Sequence, residues 1–237
     1  FKYNKILTNF VEFIERKTFS KLDCIIFLNK EEKRNLIQTL KFNPKKSFII
    51  YPSVKIQKYK RIIKNKKFRV IFTGRIINIK RLDNLIKAIN LLSKHIKKRI
   101  ECLIIGDGYS KNELIRLTKN LKLDTQINFL GYTNNIYGYL KSSDVFILPS
   151  EREGLPCSVL EAMSIGLPVI VNNLGLPIKS VYIMKDNKPE TIAKSIEIMY
   201  NNKDLRNKLK KNSIKEFNNK FSFENFIKNH EALYERL

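Results

Sequence analysis

From residue 68 onward the chain alternates between short apolar runs and amphipathic stretches, and this alternation restricts its fold more than any other feature. The apolar runs at 69–73, 101–105, 126–130, 144–148 and 168–171 have strand length, and the stretches at 82–95, 111–120, 136–142 and 157–165 carry apolar residues at helical spacing. Parallel strands cannot be joined by a hairpin and need a crossover, usually a helix. The pattern therefore predicts an α/β fold built on a doubly wound, Rossmann-like parallel sheet. In such sheets ligands bind beyond the carboxyl ends of the strands. The loops that begin at Gly74, Gly106, Gly131 and Pro149 follow four of those ends, so binding residues are expected there. Further helices are predicted at 189–200, 204–217 and 223–237.

The first third reads differently. Helical spacing covers 3–20, an apolar run at 24–28 reads as a buried strand, and a helix at 30–40 is closed by Asn43-Pro44. Proline and the residue before it both disfavour helical continuation. A second strand at 47–51 ends at Pro52, and 54–67 is Lys-rich without a period, as in an interdomain linker.

Composition limits the function classes. With 43% apolar and 11% aromatic residues in 237, the chain can bury a full core and is not disordered. No window reaches about eighteen consecutive apolar residues, and the start at Phe1 lacks a signal peptide's apolar core. Because no Met opens it, the chain is expected to be a fragment. Cys24, Cys102 and Cys157 are odd in number and widely spaced, which argues against a disulfide framework or a Cys-based metal site and for a reducing, cytoplasmic compartment. The net charge is +24, and residues 1–67 supply more than half of it, with 18 Lys/Arg against 5 Asp/Glu. A field of that sign favours phosphorylated ligands, an anionic membrane face or nucleic acid. A compositional lean toward Lys, Asn and Ile, with lysines solvated on every outer face, accounts for the same number.

The chemistry concentrates between Ile147 and Gly166: the end of an apolar strand, a loop punctuated by Pro and Gly, then a helix. Glu153 and Glu161 are separated by seven residues and, at roughly 100° per residue, point to nearly the same side of the helix or its approach. Two acids suit a ligand rich in hydroxyls. The first amides of a helix lack internal partners and lie at its positive end, so the N–H groups from Gly154 onward suit an anion. Hydroxyls with phosphate point to a sugar nucleotide; a surface salt bridge is the plainer reading of the same acids. Upstream, Gly74 permits close backbone approach, Arg75 offers a bidentate fork for phosphate oxygens, and Lys80 a compact charge. Gly106-Asp107-Gly108 lacks the third glycine of a dinucleotide fingerprint, since that position is Lys111, and reads as a tight strand-to-helix turn.

In order, Phe-Thr-Gly74-Arg75 with Lys80, Ile-Gly106-Asp-Gly, Ile-Asn-Phe-Leu-Gly131, Asp144-Val-Phe-Ile-Leu-Pro-Ser and Glu153-Gly-Leu-Pro with Leu-Glu161-Ala-Met and Gly166-Leu-Pro-Val-Ile resemble the C-terminal, donor-binding domain of retaining glycosyltransferases of family 4. The resemblance covers about residues 68–200. It implies one half of a GT-B fold, in which two Rossmann-like domains face each other across a cleft. Residues 1–53 would then be the end of the N-terminal acceptor domain, 54–67 the linker, 68–220 the donor domain and 221–237 a closing helix that packs back toward the N-terminal domain. It also implies the roles. Arg75 and Lys80 hold the donor diphosphate and stabilise it as it leaves, Glu153 contacts the donor sugar, and Glu161 accepts hydrogen bonds from the ribose hydroxyls. Gly74, Gly154, Leu155, Cys157 and Ser158 line the sugar and phosphates, and Gly131 and Tyr132 lie near the base. No Asp-x-Asp occurs, which agrees with a family that needs no bound metal and no other cofactor; the partners implied are a nucleotide-sugar donor and a glycan or lipid-linked acceptor.

Two positions depart from the family. Pro177 is followed by Ile178-Lys179 where an acid is usual, and the short path to Pro189 lacks the usual glycines, a form similar to the branch that builds bacterial surface polysaccharides. Arg81 stands where a glycine usually follows the lysine, which would alter the approach to the phosphates. Two other readings stay open at this point: a fragment that keeps the fold without activity, and a basic nucleic-acid-binding protein. The latter has neither a recognised motif nor a clustered aromatic platform.

Overall fold

The computed structural model describes residues 5–40 and 43–236. In chain order the elements are α1 (Lys5–Ser20), β1 (Ile25–Phe27), α2 (Lys30–Leu40), β2 (Ser47–Ile49), β3 (Phe68–Thr73), α3 (Leu82–Leu91), α4 (Lys94–Arg99), β4 (Ile100–Ile105), α5 (Lys111–Asn120), β5 (Ile127–Gly131), α6 (Ile136–Lys141), β6 (Val145–Leu148), α7 (Cys157–Ser164), β7 (Val169–Val171), β8 (Tyr182–Ile183), α8 (Pro189–Asn201), α9 (Lys203–Glu216) and α10 (Phe223–Tyr234). Of the predicted terminal helices, residues 3, 4 and 237 lie outside the described residues. Among the described residues no helix is long and apolar enough to cross a membrane.

Two parallel sheets form. β1 and β2 make a two-stranded sheet, and β3 to β8 make a six-stranded one in the order β5-β4-β3-β6-β7-β8. Counted from β3, that order is 3-2-1-4-5-6, the doubly wound arrangement predicted from the alternation. Every residue of β3 and of β6 is buried, because central strands of a parallel sheet are covered on both faces. The one charged residue in β3, Arg69, is 5% exposed and is paired across the register with Glu101 at 2.7 Å, while its Nη1 donates to Ser142 Oγ at 2.6 Å. Right-handed crossovers place the helices on either side of the strand reversal on opposite faces: α3 packs with α5 and α8, and α7 with α9. On α7, Val159, Leu160, Ala162 and Met163 are fully buried, and each larger side chain contributes about 1.5–3 kcal/mol of apolar burial. That anchoring fixes the side of α7 which carries Glu161.

Three local features differ from the sequence expectation. The helix expected over 82–95 is two helices, since Leu92 turns extended (φ −58°, ψ 148°) and the Ser93 hydroxyl accepts the Ile96 N–H to start α4. β8 is a two-residue edge strand, too short to leave a periodic signal, held by the register Ile170↔Tyr182 and Val171↔Ile183. After α9 a π-helical turn spans Phe217–Phe221 and buries both phenylalanines. The second of these rings meets Tyr51 edge-on at 5.3 Å, and Ser53 Oγ donates to the Phe221 carbonyl at 2.6 Å, so the end of the chain is tied to the segment that follows β2.

Candidate active site

The strand order reverses between β3 and β6, and a cleft opens beyond the carboxyl ends of such a strand pair. The loop after β3 carries Gly74, Arg75 and Lys80; the loop after β6 carries Glu151 and Glu153 and leads into α7. The neighbouring turns are stitched by backbone bonds: Gly74 N–H to the Ile105 carbonyl (3.0 Å), Ile76 N–H to Asp107 (2.8 Å), Gly106 N–H to Gly131 (2.9 Å) and Glu151 N–H to Ile79 (2.9 Å). The glycines expected at three strand ends thus share one surface, and Gly106 is needed there because a Cβ on it would overlap the Gly74 carbonyl.

Within this surface, Lys80 Nζ donates to Glu153 Oε1, and the two side chains are only 14% and 13% exposed. The ion pair that the plainer reading placed on the surface is therefore largely withdrawn from water. It joins the expected diphosphate ligand to the expected sugar ligand directly. Arg75 is exposed and makes no ion pair among the described residues. Gly154 and Ser158 are half-buried, Leu155 is buried, and Cys157 is exposed at the first position of α7. Pro156 caps α7 without a side-chain bond.

The position after Lys80 has left-handed backbone, φ 52° and ψ 40°, which is the physical reason glycine is usual there. Arg81 accepts a strain of roughly 1–2 kcal/mol. Its guanidinium reaches Glu151 Oε1 at 2.6 Å and Asp83 at 3.2 and 3.3 Å, contacts that offset the strain and hold its pKa above the ordinary value, with the Glu151 hydrogen bond the main cause. Glu151 belongs to the same acidic block as Glu153, and its role in bracing the two loops was missed because only its fold neighbour Arg81 reveals it.

Glu161 turns elsewhere. It lines a hollow of about 330 Å³ together with Tyr132, Tyr137, Val54, Lys55 and Gln57. The two acids expected to act together thus have different surroundings: Glu153 is bonded to Lys80, whereas Glu161 lines the hollow with Tyr132 and with Val54, Lys55 and Gln57. Burial holds the Glu161 carboxyl above the ordinary carboxylate range. Burial and then the nearby Glu161 charge push the Tyr137 hydroxyl up to about 12, and the same two causes raise the Cys157 thiol. Sequence reasoning missed that Tyr137, Val54, Lys55 and Gln57 line this hollow, because nothing in the spacing brings 54–57 to 161. Two buried hydroxyls, Thr73 Oγ1 and Ser150 Oγ, have no hydrogen-bond partner among the described residues and stand just at the carboxyl ends of β3 and β6. A larger groove of about 830 Å³ lies outside the same loops, bordered by Arg81, Tyr109, Arg116, Glu151 and Arg152; none of the expected donor residues lines it. No group of three or more His, Cys, Asp or Glu is placed to hold a metal ion among the described residues.

The raised Glu161 pKa has a stability consequence. An acid that holds its proton more tightly when folded makes the unfolded state bind fewer protons in the window between the two pKa values, so stability falls as pH rises through that window. Glu161→Gln is therefore expected to melt higher than the parent near pH 7 and to lose that advantage at about pH 4, where both carry a neutral side chain. Equal melting temperatures at both pH values would contradict the burial of a charge at this position.

A 3-2-1-4-5-6 parallel sheet with its basic and acidic residues gathered at the strand reversal defines a Rossmann-like domain of the GT-B class. More particularly, the chain belongs to the family of glycosyl transferases group 1, whose pattern matches residues 53–216. It is 31% identical over 174 residues to the capsular polysaccharide biosynthesis glycosyltransferase CapH of Staphylococcus aureus, covering 72% of this chain and 46% of that protein. It is 30% identical over 184 residues to the UDP-Gal:alpha-D-GlcNAc-diphosphoundecaprenol alpha-1,3-galactosyltransferase of Escherichia coli, covering 72% and 47%. The chain thus spans about half the length of these curated relatives. The crystal structure of Anabaena HepE in complex with UDP has the same fold, with a TM-score of 0.78 at 17% identity over 90% of this chain and 64% of that one.

Proposed function

We propose that residues 68–220 bind a nucleoside-diphosphate sugar and, with a facing acceptor domain, transfer the sugar with retention to a glycan or lipid-linked acceptor in the synthesis of a bacterial surface polysaccharide. The observation that carries the reading is the position of Arg75, Lys80 and Glu153 in the loops at the strand reversal, with Glu161 on α7, which follows one of those loops, in a hollow walled by Tyr132. A diphosphate would take the Lys80 ammonium and the Arg75 guanidinium, whose fixed positive charge stabilises the leaving group as the anomeric bond breaks. This charge neutralisation by side chains is what a metal-independent transfer requires. Glu153, released from Lys80, would accept from the sugar hydroxyls. Glu161 would accept from the ribose, and Gly131 and Tyr132 would border the base. UDP is the nucleotide in the HepE complex, and the Escherichia coli relative is named for a UDP sugar, so a uridine nucleotide is the donor tried first.

In this reading residues 1–53 belong to the acceptor domain, 54–67 link the two, and 221–237 close the chain against the acceptor side. Since a GT-B cleft needs both faces, these 237 residues by themselves are expected to bind nucleotide weakly and transfer little; robust transfer by the chain alone would overturn that assignment. Calorimetry with UDP, GDP and ADP tests the site. Selective binding that weakens about tenfold or more in Glu161→Ala is expected, since hydrogen bonds to a charged group contribute about 1.5–3 kcal/mol. Binding indifferent to Glu161, or equal for all three nucleotides and for an oligonucleotide, would remove the donor reading.

A further inference from the structure

The segment 54–67 carries seven Lys or Arg and no Asp or Glu. It forms neither helix nor strand, yet it is tied to the donor domain along its length. The Tyr137 hydroxyl donates to the Lys55 carbonyl at 3.3 Å, and Asn135 pairs with both backbone groups of Lys60, at 2.9 Å to the N–H and 3.0 Å to the carbonyl. Lys64 is paired with Asp144, and Lys67 Nζ donates to the Thr125 carbonyl at 3.3 Å. Val54, Lys55 and Gln57 of this strap line the Glu161 hollow, and beyond them all but Ile62 and Lys67 are exposed.

The outward side is unusual in mixing cations with bare apolar groups. Ile63 is 90% exposed, Ile56 48% and Tyr59 44%. Tyr59 and Ile63 border one shallow hollow of about 1030 Å³ with Arg61, Lys64 and Lys141. Among the described residues Arg61 and Lys141 make no ion pair, so their charges are open to an external anion. Exposed aliphatic groups gain nothing from water, and basic residues around them gain from a surface that is anionic and greasy at one depth. A bilayer containing anionic lipid has both properties: phosphates at the level of the basic side chains and acyl chains just beneath. Nucleic acid would use the cations but offers little to isolated isoleucines, and the segment has a single aromatic ring on which a base could stack.

We infer that the strap at 54–67, with Lys141, is a docking surface for an anionic membrane, with Tyr59 and Ile63 entering the interfacial layer while Lys58, Arg61 and Lys66 meet lipid phosphates. Its backbone is already fixed by Asn135 and Tyr137, so little ordering is lost on binding. The inner end of the same strap lines the hollow that holds Glu161, so docking would also set the distance of the proposed cleft from the lipid surface. The inference does not depend on the donor assignment.

Flotation of the 237-residue chain with vesicles of phosphatidylglycerol and phosphatidylcholine, against phosphatidylcholine alone, tests it. The parent is expected to float with the anionic vesicles only. Combined Lys58→Glu, Arg61→Glu and Lys66→Glu should weaken that binding by about a hundredfold or more, and combined Tyr59→Ser and Ile63→Ser by about tenfold or more. The same charge change on exposed residues of α9, by Lys203→Glu, Lys208→Glu and Lys211→Glu, should leave it within about twofold. Equal losses in the α9 variant would mean a bulk-charge effect and overturn the inference. So would absence of binding to anionic vesicles, or a serine variant that binds as the parent does while a duplex oligonucleotide binds more tightly than the vesicles. Unchanged melting and UDP affinity in the strap variants would confirm that they fold. Loss of UDP binding in the parent would count against the donor reading and leave the vesicle result standing.

Discussion

Gly106→Ala is expected to destabilise the chain by about 4 kcal/mol, near the upper limit for a single substitution. The physical reason is geometric. A Cβ at this position would sit 1.9 Å from the Gly74 carbonyl oxygen and 3.0 Å from its carbon, both backbone atoms, and the residue has φ +135°. Gly74 cannot step aside without breaking its N–H bond to the Ile105 carbonyl at 3.0 Å, which joins the ends of β3 and β4. Overpacking alone costs about 1–3 kcal/mol, and the lost bond and backbone strain add to it. Gly154→Ala is the internal comparison. The nearest atom to its Cβ would be a flexible leucine methyl of Leu28 at 3.7 Å, so a change within about 0.5 kcal/mol is expected. Urea unfolding of both variants decides the matter; a Gly106→Ala chain as stable as the parent would mean that the two turns are not in contact.

The second large effect is expected at the Lys80–Glu153 pair, because it is both a stability element and the point where a diphosphate would have to compete. Both side chains are nearly withdrawn from water, so removing either partner strands the other. Lys80→Met should cost up to about 3 kcal/mol, and adding Glu153→Gln should return most of it, since the unpaired charge is then gone. Binding should separate the two residues further. Lys80→Met is expected to lower UDP affinity about ten- to a hundredfold. Glu153→Gln alone should raise it several-fold, about one charge-assisted bond's worth of released competition. Calorimetry of the four chains of this cycle gives the answer. If Lys80→Met loses stability but keeps full UDP affinity, the pair is purely structural and the diphosphate belongs elsewhere.

Much of the fold could be read from the chain. The largely apolar runs at β3, β4 and β6 are what strands covered on both faces require, and their alternation with helical stretches demanded parallel crossovers. The break at Leu92-Ser93 was not legible, because Leu91 and Leu92 continue an apolar pattern and a single serine cap had to be weighed against it. β8 escaped because two residues carry no period. Of the candidate site, the glycines at strand ends and the stretch from Ile147 to Gly166 with Glu153 and Glu161 stood out through their place after predicted strands. The partners of those residues did not. Arg81 with Glu151 is a contact across 70 residues and Lys80 with Glu153 one across 73, and no local pattern encodes such a distance.

The chain by itself determined the class of fold, the loops that follow the carboxyl ends of the strands and the chemical character of each loop, because strand burial, crossover length and turn glycines are local requirements written into nearby residues. Only the tertiary structure decided how those loops meet. The strand order that sets β3 beside β6 brings Lys80 to Glu153, and the path of residues 54–67 past α6 brings Val54, Lys55 and Gln57 to Glu161 while leaving Tyr59 and Ile63 exposed. These are outcomes of packing between segments far apart in sequence, where the energy of each contact depends on the position of every layer between them.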